Sequence, residues 1–367
     1  MQPSFVTVVV GTRPEVIKMA PVVRALARRP ERFSVDLCVV AQQGEVLDRA
    51  LAEWGLEPSI KVDINAFGRP LGATLGATLG AVEGYLLQRR PDFVLVHGDT
   101  STTLGASLAS FYAQVPFGHV EAGLRTGDRA QPFPEEMHRV VVDRLAAAHY
   151  APTEHAKEAL LSEGVSPASV RVVGNTVVDA LYAMGARAPT DAPARREVLV
   201  TCHRRENFGA GARGVCEALR RLVLERDDVE VTYVLHPHPS AQEAPRAALG
   251  GLPRATLLDP MGHREFVSRL ARAWLVVTDS GGVQEEAACL GRPILVARER
   301  TERVEAVRAG VARVVGTATR AVFDAVTTLL DSPAAYDEMR RPVDVFGDGR
   351  AAERIADDLA ARLGASR

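Results

Sequence analysis

The sequence predicts two α/β domains in tandem, each a parallel β-sheet flanked by helices. Three observations predict it. Short β-branched runs alternate with longer helical patterns through both halves of the chain. The alternation stops and restarts at a small, proline-bearing segment near residue 190. And 367 residues, 47% of them hydrophobic and 25% charged, have the composition and length of two ordinary soluble globular domains. In the first half, the strand-like runs Val6–Val10, Val35–Val40 and Phe93–His97 are spaced by helical patterns from about Pro14 to Arg29 and from about Glu45 to Trp54. The second half repeats the rhythm at Val198–Thr201, Val231–Leu235, Thr256–Leu258, Leu275–Thr278 and Pro293–Val296. Between them, Gly185 to Pro193 breaks all periodicity with small residues and two prolines, which sets the boundary near residue 190.

Charge and cysteine content narrow the function classes. Lys and Arg total 44 against 46 Asp and Glu, so a net charge of −2 leaves no cationic excess for a nucleic-acid partner. No apolar run approaches the ~18 residues of a membrane span, and the residues ahead of Phe5 carry no basic leader, which predicts a cytoplasmic protein without a membrane partner. Cys38, Cys202, Cys216 and Cys289 are far apart without a C-x-x-C pair, so they read as free, packing thiols. The segment Leu71 to Gly80 sets Leu71, Leu75 and Leu79 on one helical face and Gly72, Gly76 and Gly80 on another. Each glycine costs a helix ~1 kcal/mol relative to alanine, so the stripe predicts a backbone held close to a neighbour, a packed helix ahead of a ligand, and a subunit interface would satisfy either.

The chemistry-bearing residues stand where parallel strands end. Gly11-Thr-Arg-Pro-Glu15 follows the first strand and opens a helix that carries Lys18. It is not a G-x-G-x-x-G fingerprint, so no dinucleotide cofactor is implied. A glycine turn before a helix N-terminus is instead a general anion-receiving geometry, with Arg13 supplying a bidentate charge. Val94-Leu-Val-His-Gly-Asp-Thr100 places Asp99 at the next strand end, where a lone Asp is equally a helix cap. His119-Val-Glu-Ala-Gly-Leu-Arg125 adds Glu121, and Pro132 to Arg139 adds Glu135 and Glu136, which alone are ordinary helix N-terminal acids. Carboxylates gathered at one crevice acquire divergent pKa values and serve as base and acid.

In the second half, Val200 to Gly209 puts His203 past a strand beside two arginines, a proton exchanger in phosphate-friendly company. Val277-Thr-Asp-Ser-Gly-Gly-Val-Gln-Glu-Glu286 is a strand, a glycine turn and a helix start. Ser280, Gly281 and Gly282 offer donors to a diphosphate, and Glu286 reaches for a ribose, although Asp-Ser-Gly-Gly is also a legitimate capping turn. His236 and His238 flank a proline without a third ligand nearby, so no metal is assigned.

Together with Thr301-Glu-Arg303 and Gly347-Asp-Gly349, these motifs occur in the order found in bacterial non-hydrolysing UDP-N-acetylglucosamine 2-epimerases, a family the chain resembles over nearly its whole length. The resemblance implies a GT-B fold. That is two Rossmann-like domains, residues 1–190 and 191–349, with the active site in the cleft between them and a final helix, residues 350–367 with Ala351–Leu363 at its heart, returning to the first domain. It implies interconversion of UDP-GlcNAc and UDP-ManNAc by elimination of UDP to 2-acetamidoglucal and re-addition, without cofactor or metal, in a homodimer. By the same resemblance Asp99, Glu121 and Glu135 are the acid–base carboxylates and His203 the active-site histidine. Arg13, Ser280, Gly281 and Gly282 hold the diphosphate with Arg139 assisting, Glu286 holds the ribose and Phe266 the uracil. Lys18, His236 and Arg303 complete the substrate set.

Departures from the family pattern are informative. Gln42-Gln43-Gly44-Glu45 lacks the usual histidine and arginine of a segment near which many members bind activating UDP-GlcNAc. Gln42, Gln43, Glu45 and Arg69 therefore mark a weakened activator site. Met137-His138, His238, Val304 and Phe346 also differ, which leaves room for another 2-acetamido sugar. Rival readings are a hydrolysing relative that releases ManNAc and UDP, a GT-B glycosyltransferase, and a nucleotide-sugar sensor without turnover. The sensor has no use for the acid–base set, and the transferase none for three carboxylates in the N-terminal half.

Overall fold

A computed structural model of the chain describes residues 2–42, 44–64, 68–188, 196–202 and 209–365. It divides into two compact units, Met1–Ala183 with Gly347–Arg367, and Met184–Phe346. The chain changes unit directly after the helix that ends at Ala183, a few residues ahead of the proline-bearing stretch that suggests a boundary near 190.

In unit 1, β1 (Ser4–Val10), α1 (Arg13–Ala27), β2 (Phe33–Ala41), α2 (Gly44–Trp54), β3 (Ile60–Asp63), α3 (Leu71–Arg89), β4 (Phe93–His97) and α4 (Ser101–Tyr112) come first. They are followed by β5 (Phe117–Val120), α5 (Glu135–Leu145), β6 (Ala148–Ala151), α6 (Glu154–Ser162), β7 (Val170–Val172) and α7 (Thr176–Ala183). Seven parallel strands pair in the order β3-β2-β1-β4-β5-β6-β7. The central strands are apolar and covered on both faces, as parallel sheets require: Val6, Val8, Val9, Val10, Val94, Leu95 and Val96 are all buried.

Unit 2 repeats the plan. It contains β8 (Arg196–Thr201), α8 (Ala210–Glu225), β9 (Val229–Val234), α9 (Glu243–Leu249), β10 (Ala255–Leu258), α10 (His263–Arg272), β11 (Leu275–Thr278) and α11 (Gly281–Cys289). Then come β12 (Ile294–Val296), α12 (Val304–Arg308), β13 (Ala312–Val314), α13 (Thr319–Asp331) and α14 (Pro333–Met339). Its strands pair in parallel as β10-β9-β8-β11-β12-β13. Each sheet reverses direction of growth beside its first strand. The carboxyl ends of β1 and β4, and of β8 and β11, are therefore the places where loops diverge and leave room for a ligand.

The last helix, α15 (Ala351–Ala365), belongs to unit 1, where it packs on α1 and α7. Two glycines seat the returning chain. At Gly347 (φ 113°) a Cβ would lie 2.9 Å from the Gly174 Cα, and at Gly349 (φ 77°) 2.3 Å from the Tyr182 ring, so no larger residue fits. Asp179 then receives the N–H groups of Ala351 (3.2 Å) and Ala352 (2.8 Å), capping α15.

One expectation finds no partner within the described residues of this chain. The helix read from Leu71 onward exists, but a Cβ at Gly72, Gly76 or Gly80 would meet nothing within 4 Å of it in this chain. The close approach of α3 to α4 runs instead through Gly105, where a Cβ would lie 2.7 Å from the Thr78 methyl. Thr74 and Thr78 are buried on that face. Thr78 repays its hydroxyl by donating to the Thr74 carbonyl (2.9 Å), which is why a pattern of leucines did not reveal the contact.

Candidate active site

The turn after β1 is a close fit. A Cβ at Gly11 would lie 2.0 Å from the Thr102 hydroxyl, so the backbone passes where only glycine can. Glu15, one turn into α1, folds back over it. Its carboxylate accepts from the Gly11 N–H (2.9 Å), the Thr12 N–H (2.7 Å) and the hydroxyls of Thr100 (2.7 Å) and Thr103 (3.1 Å). The backbone donors of Gly11 and Thr12 are taken by the chain's own carboxylate, which fits the dipole as well as a phosphate would. Arg13 stands beside this turn, half-buried.

Glu121 lies just past β5 with its backbone in the left-handed region (φ 68°) and its side chain 4% exposed. The Lys18 ammonium is ion-paired to Oε2, to which the Asn175 amide also donates (2.9 Å). The Arg139 guanidinium donates to Oε1 (2.8 Å) and to the Glu121 carbonyl (2.6 Å), and His97 Nε2 stands 3.6 Å from Oε2. Burial alone would raise this carboxyl, but Lys18, His97 and Arg139 outweigh burial and hold it well below the ordinary value.

Arg139 also reaches Asp99 Oδ2 at 2.7 Å, so a single buried guanidinium joins two of the predicted carboxylates. Asp99 keeps 23% of its side chain exposed. Its own carbonyl is held by His138 Nδ1 (2.8 Å), at a position where the sequence departs from its family pattern. Glu135, the third predicted carboxylate, is the half-buried first residue of α5. Glu136 is not part of the acid–base set: its two oxygens accept the N–H groups of Thr126 (3.0 Å) and Gly127 (2.9 Å) and staple the loop ahead of α5.

In unit 2, Ser280 stands at the N-cap position of α11, and the Ser280 N–H donates to the Thr278 hydroxyl (3.0 Å). A Cβ at Gly281 would lie 2.7 Å from the Arg303 guanidinium, whereas Gly282 has open space around it. Arg303 is itself engaged, by Glu285 (2.8 Å) and Glu302 (2.8 Å), and is buried as a roof over Gly281. Glu286 is met by His263 Nε2 at 2.6 Å, a partner the sequence reading missed, and Phe266 lies buried on the same helix as His263. His236 uses Nδ1 to accept the His238 N–H (3.0 Å), a contact internal to its loop.

His203 and Gln43 lie outside the described residues. Of the other residues read as an activator site, Gln42 donates its amide to the Thr102 hydroxyl (2.8 Å), while Glu45 and Arg69 are exposed. Unit 1 thus brings Lys18, Asp99, Glu121 and Arg139 into one cluster. Sequence reasoning missed its supporting members His97 and Asn175, and Glu15 in the turn beside it. Glu15 and His97 stood inside quoted motifs, but nothing local distinguishes Asn175, which reaches Glu121 from a loop more than fifty residues away.

Tandem Rossmann-like units of one strand order, with their polar residues gathered where strands end, define a protein of the GT-B class. The family model described as UDP-N-acetylglucosamine 2-epimerase matches residues 24–360. The UDP-N-acetylglucosamine 2-epimerase of Escherichia coli (strain K12) is 42% identical over 96% of this chain and 98% of its own. Among solved structures, the S. aureus MnaA–UDP co-structure superposes with a TM-score of 0.93 at 38% identity, covering 98% of this chain and 97% of that one. The UDP-GlcNAc 2-epimerase of Neisseria meningitidis bound to UDP-GlcNAc gives 0.92 at 35% identity, over 97% and 100%. The chain belongs to the UDP-N-acetylglucosamine 2-epimerase family.

Proposed function

We propose that this chain interconverts UDP-GlcNAc and UDP-ManNAc without hydrolysis, by eliminating UDP to 2-acetamidoglucal and adding it back with the opposite configuration at C2. The observation that carries the reading is Arg139 joining Asp99 and Glu121, so that one guanidinium ties a proton-exchanging carboxylate to one kept ionised, within a family of 2-epimerases. In the forward step the C2–H bond breaks and its proton passes to a carboxylate. The C1–O bond breaks with its electron pair leaving on UDP, and a C1–C2 double bond forms. Re-addition reverses both changes, with the proton delivered to the other face.

The carboxylates divide the work by environment. Asp99, partly exposed and facing one guanidinium, exchanges the C2 proton on one face and Glu135 on the other. Glu121, held ionised among Lys18, Arg139 and Asn175, orients those cations and stays unprotonated. His203 completes the acid–base set. Arg13, Ser280, Gly281 and Gly282 stabilise the departing diphosphate, Glu286 oriented by His263 binds the ribose, and Phe266 packs on the uracil. Arg139 and Arg303, both neutralised by carboxylates, position the site and do not grip phosphate. His236, occupied within its own loop, borders the nucleotide at most. Gln42, tied to Thr102, leaves an activator little to bind, so activation by UDP-GlcNAc is weak. No described helix is long and apolar enough to cross a membrane, and the reading is of a cytoplasmic homodimer acting on nucleotide sugars.

Proton NMR with UDP-GlcNAc in deuterated buffer tests it. Deuterium at C2 in a mixture of UDP-GlcNAc and UDP-ManNAc is the expected result. Free ManNAc with UDP would make the chain a hydrolysing relative, and an unchanged C2 signal would sink the reading.

A further inference from the structure

Thr301 and Gln284 meet inside unit 2, the first from the loop after β12 and the second from α11. The direction of each hydrogen bond between them is forced. Ser280 presents a backbone carbonyl, which only accepts, so the Gln284 amide nitrogen donates to it (3.2 Å). The amide oxygen therefore faces Thr301, whose hydroxyl donates to it (2.8 Å). That hydroxyl oxygen accepts the Arg303 N–H (3.1 Å), which leaves its proton for Gln284. Gln284 is wholly buried. Beside this chain runs a second one, made of charges. Arg303 donates through Nε to Glu285 Oε1 (2.8 Å) and pairs through Nη1 with Glu302 Oε1 (2.8 Å), while Glu302 Oε2 accepts from Arg298 (2.8 Å). All four charged side chains are buried. The Arg303 guanidinium rests against Gly281, 2.7 Å from where a Cβ would stand. A cation at the positive end of a helix is unfavourable on its own, and Glu285 and Glu302 offset it.

We propose that Thr301 is a positioning residue for the donor turn at Ser280, Gly281 and Gly282, the loop of residues 298–303 acting as a brace that holds the turn in its diphosphate-binding shape before nucleotide arrives. The brace meets the turn at two points, Ser280 through Gln284 and Gly281 through the Arg303 guanidinium. Anchors on adjacent residues fix the tilt of the peptide between them, and with it the direction in which the first N–H groups of α11 point. Four buried charges gain little stability over apolar packing of the same volume. A rigid turn gains affinity instead, because ordering a loose one on binding would consume part of the interaction energy of the ligand.

The inference rests on the reading of Ser280, Gly281 and Gly282 as the seat of the UDP diphosphate, and one set of titrations separates the two. Calorimetry of the wild type with UDP and with UMP measures what the second phosphate contributes. UDP should bind about a hundredfold more tightly, the scale of two hydrogen bonds to a charged group. Equal affinities would end the diphosphate reading, and the inference with it. Thr301→Val keeps the shape of the side chain and removes the hydroxyl. It should cut the UDP-to-UMP affinity ratio about tenfold, the scale of one lost buried hydrogen bond, while affinity for UMP stays within about twofold. Thr301→Ser, which retains the hydroxyl, should keep the wild-type ratio. With a discriminating wild type, an unchanged ratio in Thr301→Val would overturn the inference and leave the diphosphate reading standing. Equal losses for UDP and UMP, the mark of a merely structural weakening, would overturn it too, as would a Thr301→Ser variant no better than Thr301→Val. If Thr301→Val does not fold, Thr301→Ala serves the same comparison; failure of both to fold would make the hydroxyl a folding requirement and reject the positioning role.

Discussion

Glu121 combines two features that are costly apart, a left-handed backbone at a side-chain-bearing residue and a fully buried carboxylate. Such conformations cost of order 1–3 kcal/mol and persist where the surroundings over-determine them. Here the Arg139 guanidinium holds both the Glu121 carbonyl and its carboxylate. Glu121→Gln removes the charge and leaves Lys18 buried without its ion pair. It should destabilise the protein by about 3 kcal/mol or more, read from urea unfolding; a loss below about 1 kcal/mol would mean that the cations find other partners. Asp99→Asn tests the opposite property. Asp99 is partly exposed and its asparagine is nearly isosteric, so this variant should keep its unfolding midpoint and its affinity for UDP while turnover collapses. Unchanged activity would remove Asp99 from the mechanism. These residues were legible because each stands where a strand run ends and a helix begins. Their ranking was not, since Glu121 and Asp99 look alike in sequence and differ in burial and in the partners the fold delivers to each.

At the scale of elements, the cap of α15 responds to pH. Asp179 is buried, and burial, only partly offset by the Ala352 and Ala351 N–H groups, pushes its carboxyl up to about 6. A folded-state pKa above the unfolded value of about 3.9 means that the folded chain binds more protons in between. Stability from this group therefore falls as pH rises from about 4 to about 6. Asp179→Asn should flatten that limb of a melting-temperature profile while lowering the curve by about 1 kcal/mol for the backbone donor it no longer satisfies. An unchanged slope would place the proton elsewhere. Buried Asp36, Asp143 and Glu121 act with the opposite sign: Arg89, Arg125 and Lys18 among their partners lower them, and their contribution is lost as pH falls below the ordinary carboxylate range. Periodicity found the elements with long apolar or amphipathic runs. It passed over β3, β7 and β13, edge strands of three or four residues whose existence depends on a neighbour's hydrogen bonds and not on a pattern of their own.

For the whole molecule, each sheet ends strands in glycine turns that open helices, and two of the described turns differ in what fills them. Glu15 occupies the backbone donors of Gly11 and Thr12 in unit 1, whereas in unit 2 the turn before α11 has no acid in its first helical turn. Saturating UDP, at about a hundred times its Kd, should add about 2.7 kcal/mol to stability. Hydrogen exchange should slow at Ser280 to Glu286 and along α10 more than at Gly11 and Thr12; protection at Gly11 and Thr12 alone would reverse this assignment. The sequence showed both glycine turns, but only the placed Glu15 side chain tells them apart.

The path of the chain through the two units carries a last consequence. Unit 2 is one uninterrupted stretch, while unit 1 is assembled from Met1–Ala183 and the residues after Gly347, with α15 covering α1 and α7. On a translating ribosome, unit 2 can therefore finish folding while the face of α1 and α7 still lacks its cover. Helices made first are covered by the helix made last, so a nascent chain arrested before Gly347 would expose the apolar side of α1 to whatever binds unfinished proteins.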